Sequence, residues 1–314
     1  MADTHKVAYL FPGQGAQTVG MAKSLYETND AARDALDQAN QILDFDLLGL
    51  CFDGPQEELN QTANCQPAVL AVSLAALRAA QATLGDKLPA PTAVAGLSLG
   101  EYSALAAAGA ISFEDALRLV RKRGQFMQDA GQQNPGAMCS VLGLDDEQVV
   151  AICQEASALG EVVAANFNCP GQVVCSGEKG PLDKVMELAK TAGAKKVVPL
   201  KVSAAFHSKL MAPASDRLAK EIEAIPFQPP QVSVVANVTA DYVSSPDEAK
   251  QRLVQQLCQP VQWTQSMQKL IADGIEEFYE IGPGKVLAGL MRRIDRSKKV
   301  INIETADHLA QLGA

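Results

Sequence analysis

The sequence predicts an α/β fold in which a mainly parallel sheet is covered by helices. Two observations carry that expectation. Short apolar runs such as Val7-Ala8-Tyr9-Leu10-Phe11 read as strands buried on both faces. Longer stretches with apolar residues at helical spacing lie between them, as with Phe113, Ala116, Leu117, Val120 and Phe126. Strands alternating with helices argue for a parallel, covered sheet. At 314 residues, 47% apolar and 20% charged, the chain can bury a sizeable core.

The first strand ends in Pro12-Gly13-Gln14-Gly15, too glycine-rich to continue a sheet. Helical patterns dominate from about 20 to 85. Thr92-Ala93-Val94-Ala95 follows two prolines and reads as a second buried strand. A helix is expected after it from Glu101 to Ala108, and another over about 113–130. Residues 137–142 read as a strand, Asp145 to Ala158 as a helix, and 162–165 and 172–175 as strands around a turn at Asn168-Cys169-Pro170-Gly171. Pro181 to Ala192 then reads as a helix and Lys195 to Leu200 as a strand. This β-α-β-β-α-β order is ferredoxin-like. Residues 131–198 are therefore expected to be a small α+β domain inserted in a large α/β domain made of 1–130 and 199–314. The large domain resumes with a helix at about 210–224, a strand at 232–236 and a helix around 247–258. A strand at 277–281 and a last helix at about 286–294 complete it.

Between the second strand and its helix stands Gly96-Leu97-Ser98-Leu99-Gly100. A Gly-x-Ser-x-Gly turn projects a serine hydroxyl while the glycines relieve crowding around it. On such an elbow, at a helix N-terminus, Ser98 can approach a carbonyl carbon and become acylated. The elbow makes the large domain α/β-hydrolase-like. A serine nucleophile needs a base, and imidazole has the suitable pKa range. Of three histidines, His5 and His308 lie near the termini, so His207 is the base by elimination. Several acids follow Ser98, and none has a distinguishing motif. A main-chain carbonyl can orient a histidine equally, which allows a dyad.

Other chemistries are disfavoured. Gly13-Gln14-Gly15-Ala16-Gln17-Thr18 lacks the last glycine of a dinucleotide fingerprint, and Gly282-Pro283-Gly284-Lys285 is not a phosphate-binding Walker loop. No metal-ligand spacing occurs. Seven scattered cysteines without Cys-x-x-Cys read as buried free thiols. The net charge of −9 argues against nucleic-acid binding. It does not exclude an acidic partner, because Lys195, Lys196 and Lys201 cluster, as do Arg292, Arg293, Arg296, Lys298 and Lys299. No uninterrupted apolar run has transmembrane length, and no signal-peptide pattern opens the chain, so no membrane contact and a cytoplasmic location are expected.

Taken together, the motifs resemble those of malonyl-CoA:acyl-carrier-protein transacylases. Phe11-Pro12-Gly13-Gln14-Gly15-Ala16-Gln17 looks like their opening signature, and Gly96 to Leu105 like their nucleophile segment. Arg121-Lys122-Arg123-Gly124 resembles the arginine segment, and Ala205-Phe206-His207-Ser208 the histidine segment. Pro260-Val261-Gln262-Trp263 and Glu280 to Leu287 match later blocks, so the resemblance runs in order over nearly the whole chain.

The resemblance implies that Ser98 takes malonyl from coenzyme A as an ester, which the phosphopantetheine thiol of acyl carrier protein then attacks. His207 would move the proton, held by the main-chain carbonyl of Gln256. The N–H groups of Gln14 and Leu99 would form the oxyanion hole. Arg123 would bind the malonyl carboxylate, since guanidinium matches carboxylate in a two-bond fork. Gln14 would also contact substrate, and Phe206 would fill the space that an α-methyl group needs. No cofactor is implied, malonyl-CoA being a substrate, and the family suggests a monomer. Leu97 stands where many members have histidine. Basic residues around the cleft, with Lys195, Lys201 and Arg293 as candidates, would meet the acidic carrier. A serine esterase or thioesterase on the same elbow is the alternative, and Arg123 separates the two, since a simple esterase has no need of a carboxylate clamp.

Overall fold

The computed structural model describes residues 5–202 and 204–314. Its elements alternate as the hydrophobic pattern requires. They are β1 (Val7–Phe11), α1 (Lys23–Thr28), α2 (Asp30–Ile42), α3 (Leu47–Asp53), α4 (Gln56–Leu59), α5 (Thr62–Leu84), β2 (Ala93–Gly96), α6 (Gly100–Ala107) and α7 (Phe113–Gln133). Next come β3 (Ala137–Leu142), α8 (Asp146–Ala156), β4 (Val162–Cys169), β5 (Gln172–Gly177), α9 (Lys179–Thr191) and β6 (Lys196–Pro199). The chain finishes with α10 (Ala212–Ala224), β7 (Ser233–Ala236), β8 (Asp241–Tyr242), α11 (Pro246–Gln256), α12 (Trp263–Ala272), β9 (Glu277–Ile281), α13 (Val286–Ile294), β10 (Lys299–Ile303) and α14 (Ala306–Gly313).

One sheet has the order β10-β9-β1-β2-β7-β8. All its pairs are parallel except β7 with β8. Every residue of β1 and β2 is buried, as expected of central strands covered on both faces. Register sets Tyr9 between Val94 and Tyr279, and the two tyrosine rings meet edge to face at 5.8 Å. The second sheet is antiparallel with the order β4-β5-β3-β6, the strand order of a ferredoxin-like unit, packed on α8 and α9. The two sheets are strapped together where β4 runs beside the chain before α12. There the Phe167 N–H donates to the Val261 carbonyl and the Val261 N–H to that of Ala165.

The helix α5 is long and apolar enough to cross a membrane by length and composition alone. Most of it is buried against α2 and α7, so its apolar character belongs to the core.

Some elements differ from expectation. The helix α13 is not the last element, because β10 and α14 follow it, and α12 had no counterpart in the sequence reading. The edge strand β10 is mostly half-buried, which gives a weak hydrophobic signal. Strand β4 runs to Cys169 instead of stopping near 165. Two register shifts carry it through Asn166 and Asn168, whose polarity reads as a turn in one dimension.

Candidate active site

The loops at the carboxyl ends of β1, β2 and β7 meet at one point, where parallel sheets expose free backbone groups and place ligands. After β2 the chain turns sharply at Ser98, which has φ of 51°. A Cβ at Gly96 would collide with the Gly100 carbonyl, and one at Gly100 with the Phe11 carbonyl. Both glycines are thus required by close backbone approach. Asn237, just past β7, spans the turn. Its Oδ1 accepts the Ser98 N–H at 2.6 Å, and its Nδ2 donates to the Gly96 carbonyl at 2.7 Å.

His207 lies in the loop between β6 and α10 and is buried, also at positive φ. Its Nε2 is 2.9 Å from Ser98 Oγ, and its Nδ1 is 2.7 Å from the main-chain oxygen of Gln256. A carbonyl can only accept, so Nδ1 carries the proton and Nε2 is free to take one from the serine. Burial, reinforced by the Arg123 charge, lowers the His207 pKa to about 4. The imidazole is therefore neutral near pH 7.

Arg123 is 1% exposed on α7, although its neighbours lie at the surface. Arg118 pairs with Glu114, Arg121 with Asp44 and Lys122 with Glu221. Arg123 turns inward over the Tyr102 ring. Its Nη1 donates to Gln66 Oε1 at 2.7 Å, and its Nη2 to Gln256 Oε1 at 2.9 Å and to Ser98 Oγ at 3.2 Å. Among the described residues its Nε finds no acceptor.

Gln256 is the hub. Its carbonyl holds His207 and its Oε1 holds Arg123. Its Nε2 donates to the Ser98 carbonyl at 2.9 Å and to Glu101 Oε2 at 2.7 Å. Glu101, fully enclosed on α6, also accepts the Asn237 N–H at 3.0 Å. Burial raises its carboxyl pKa to about 7 against the pull of those donors and of Arg123.

A cavity of about 190 Å³ opens onto Ser98. Gln14, Leu99, Arg123, Phe206 and His207 line it, with Leu97, Gln66, Met127, Met138, Asn166, Asn168, Val174, Leu200 and Val202. Among the described residues the N–H groups of Gln14 and Leu99 have no protein acceptor. The structure thus brings Ser98, His207, Gln256, Gln14, Leu99, Arg123 and Phe206 together. Of the cationic candidates, Lys201 is exposed between the cavity-lining Leu200 and Val202, and Lys195 is exposed beside Gly143. Arg293 donates to Gln172 and to the carbonyls of Pro170 and Gly171, tying α13 to the β4–β5 turn.

Three participants escaped the sequence reading: Gln66, Glu101 and Asn237. Each had a signal. Gln66 and Glu101 are polar residues within otherwise apolar helical stretches, and Asn237 directly follows an apolar strand. Among the described residues no group of acids, cysteines and histidines is arranged to hold a metal ion.

A family model described as an acyl transferase domain matches residues 8–311. The malonyl CoA-acyl carrier protein transacylase of Bacillus subtilis (strain 168) is 45% identical over 299 residues, covering 95% of this chain and 93% of that protein. The protein of the same name from Escherichia coli (strain K12) is 47% identical over 288 residues, covering 91% and 92%. Among solved structures, the malonyl CoA-acyl carrier protein transacylase from Coxiella burnetii superposes with a TM-score of 0.94 at 39% identity, covering 98% of this chain and 96% of that one. A malonyl-transacylase in complex with its type II PKS acyl-carrier protein gives a TM-score of 0.93 at 40% identity, covering 98% of each chain. Matched along almost its entire length, the chain belongs to the acyl transferase family.

Proposed function

We propose that the protein is a malonyl-CoA:acyl-carrier-protein transacylase serving fatty acid biosynthesis, working through a malonyl ester on Ser98. The observation that carries this reading is the buried Arg123 guanidinium 3.2 Å from Ser98 Oγ, a cation placed beside the acylation point. Nη2, which donates to Gln256 and to Ser98 Oγ, is the guanidinium nitrogen at the acylation point, and a charged carboxylate entering the cavity can replace the serine hydroxyl as its acceptor. Without Arg123 that carboxylate would be buried and unpaired at a cost of roughly 2–5 kcal/mol, a penalty that falls on malonyl and not on acetyl.

In the first half-reaction Ser98 Oγ gives its proton to His207 Nε2 and attacks the thioester carbonyl carbon. The resulting oxyanion accepts from the N–H groups of Gln14 and Leu99, which need no rearrangement to receive it. Collapse breaks the carbon–sulfur bond, and the coenzyme A sulfur takes the proton from His207. In the second half, the carrier's phosphopantetheine thiol gives its proton to His207 and attacks the ester. The proton returns to Ser98 as the new thioester leaves. The Gln256 carbonyl keeps the imidazole in the tautomer that both halves use. Phe206 closes the space beside the acyl group. The reaction so written draws on no metal or cofactor. We read residues 131–198 as a small domain walling the cleft, a division supported by a second sheet whose strands run from Ala137 to Pro199. The seven free thiols suit a reducing compartment, and we place the enzyme in the cytoplasm.

The test is incubation with malonyl-CoA and mass analysis of the protein. A malonyl ester on Ser98, stable until holo acyl carrier protein is added, is expected. Rapid release of free malonate without carrier would make the protein a hydrolase and overturn the reading.

A further inference from the structure

Two carboxylates are buried among the described residues, Glu101 and Glu280. Glu280 has a structural task. It accepts the N–H groups of Leu287 and Ala288 at the start of α13 and the Asn302 amide. Glu101 sits instead beneath the reacting groups. Its Oε2 takes the Gln256 amide N–H, which turns the other end of that amide, Oε1, toward Arg123. The same carboxylate oxygen takes the Asn237 N–H, the residue that spans the Ser98 turn. The Glu101 carboxylate therefore reaches His207, Arg123 and Ser98 through one glutamine and one asparagine, and only its main-chain N–H meets one of them directly, donating to the Ser98 carbonyl at 3.1 Å.

Its charge matters as well. The ionisable groups that bear on it are Arg123 of α7, Tyr102 beside it on α6 and, beyond Gln256, His207. His207 and Tyr102 are neutral near pH 7, because burial lowers the first and raises the second. Above the Glu101 transition the enclosed charges are then Arg123 positive and Glu101 negative. A substrate carboxylate arriving at Arg123 leaves one negative charge in excess, away from water, where an unbalanced charge is expensive. Both hydrogen bonds to Glu101 fall on Oε2, so a proton on Oε1 restores neutrality without breaking either.

Resting on the malonyl-transfer reading, we propose that Glu101 is a positioning residue that sets Gln256 for His207 and Arg123, and that it takes up one proton from solvent when a carboxylate-bearing acyl group binds. Acyl groups without a carboxylate call for no such proton.

Glu101→Gln is the decisive variant. Its amide oxygen can accept both bonds, and only the charge is lost. Acylation of Ser98 is followed by rapid quench with malonyl-CoA and acetyl-CoA from pH 6 to 9. In the wild type, the malonyl-to-acetyl ratio of kcat/KM falls as pH rises past the Glu101 transition, approaching about tenfold per pH unit. In Glu101→Gln the ratio is flat. With a pH indicator at pH 8, malonyl-CoA draws close to one proton per ester in the wild type, relative to acetyl-CoA, and none in the variant. Equal slopes in the two proteins, or no proton difference, overturns the charge role. Glu101→Ala also loses both hydrogen bonds, and it acylates at least about tenfold more slowly than Glu101→Gln with either substrate. Equal rates for the two variants overturn the positioning role. Failure of wild-type Ser98 to form a malonyl ester at any pH sinks the transfer reading itself. An ester formed without the pH slope or the proton sinks only the assignment of Glu101.

Discussion

At the residue scale, Arg123 and His207 show how burial converts ordinary side chains into specific tools. A guanidinium withdrawn from water keeps its charge only where acceptors surround it, and here those acceptors are glutamine oxygens and a serine hydroxyl. Among the described residues no carboxylate touches it directly, so it remains able to attract one. Arg123→Ala should lower malonyl transfer by about thirty-fold to a few thousand-fold, corresponding to roughly 2–5 kcal/mol. Acetyl transfer should fall far less or rise. Comparing kcat/KM for both acyl-CoAs checks this, and equal losses would refute the carboxylate clamp.

His207 and Glu101 also pull stability in opposite directions with pH. The folded His207 titrates near 4 and the unfolded side chain near 6.5. Between those values the unfolded chain holds the extra proton, so stability rises with pH. Glu101 titrates near 7 when folded and near 4.5 when unfolded. Between those values the native state holds the extra proton, so stability falls as pH rises. From pH 4.5 to 6.5 the two slopes, each up to about 1.4 kcal/mol per pH unit, offset one another. Glu101→Gln should therefore gain stability relative to the wild type as pH rises through that range. Urea midpoints for both proteins at several pH values give the difference, and parallel profiles would contradict it.

At the element scale, the site depends on three connections and one helix face. The β2–α6 turn succeeds because Gly96 and Gly100 let backbone cross backbone, and because Asn237 satisfies the N–H that a positive-φ serine turns away from its own sheet. The β1 loop brings Gly13 so close to the Leu97 carbonyl that any side chain would collide with it. That approach brings Gln14 and Leu99 to the same cavity. Helix α7 begins at a Ser112 cap with Glu114 and Asp115 in its first turn, and three of its cations face acids outside. Arg123 lies on the buried face, packed toward α5, where Gln66 waits for it. The helix pattern told which residues form α7. Helical spacing also sets Arg123 on the apolar stripe, three residues after Val120 and four before Met127, with Arg118 and Lys122 on the opposite face; it did not tell that Gln66, Gln256 and Ser98 would meet it there.

At the scale of the whole molecule, the cleft lies between a parallel sheet carrying Ser98 and an antiparallel one carrying Asn166, Asn168 and Val174 on its wall. The Phe167–Val261 strap and the Arg293 contacts with the β4–β5 turn hold the two together. Exposed Lys201 beside the cavity presents positive charge on a molecule whose net charge is −9, and exposed Lys195 lies at the other end of β6. An acidic carrier protein is expected to be attracted toward Lys201 and repelled by the negative remainder of the surface. The apparent KM for carrier should rise several-fold between low and physiological salt, and Lys201→Glu should raise it further at low salt while leaving the coenzyme A half-reaction intact. A carrier KM indifferent to salt would count against this docking face.

Alternating apolar runs determined the α/β class, the order of most elements and the ferredoxin-like strand sequence, because periodicity is a local consequence of burial on one or both faces. Glycine spacing and the scarcity of histidine, both visible in one dimension, picked out Ser98 and His207, while Arg123, the Gln14 loop and the Gln256 carbonyl came from the resemblance of the motifs to a family. Long-range packing decided the rest. Gln66, Glu101 and Asn237 come from α5, α6 and the end of β7, and they meet Gln256 at the end of α11 only when those elements close around one point. Whether Glu101 is a solvated helix-dipole acid or an enclosed carboxyl titrating near 7 depends on what covers it. No sequence neighbour supplies that cover; the β7 and α11 termini do, from more than a hundred residues away.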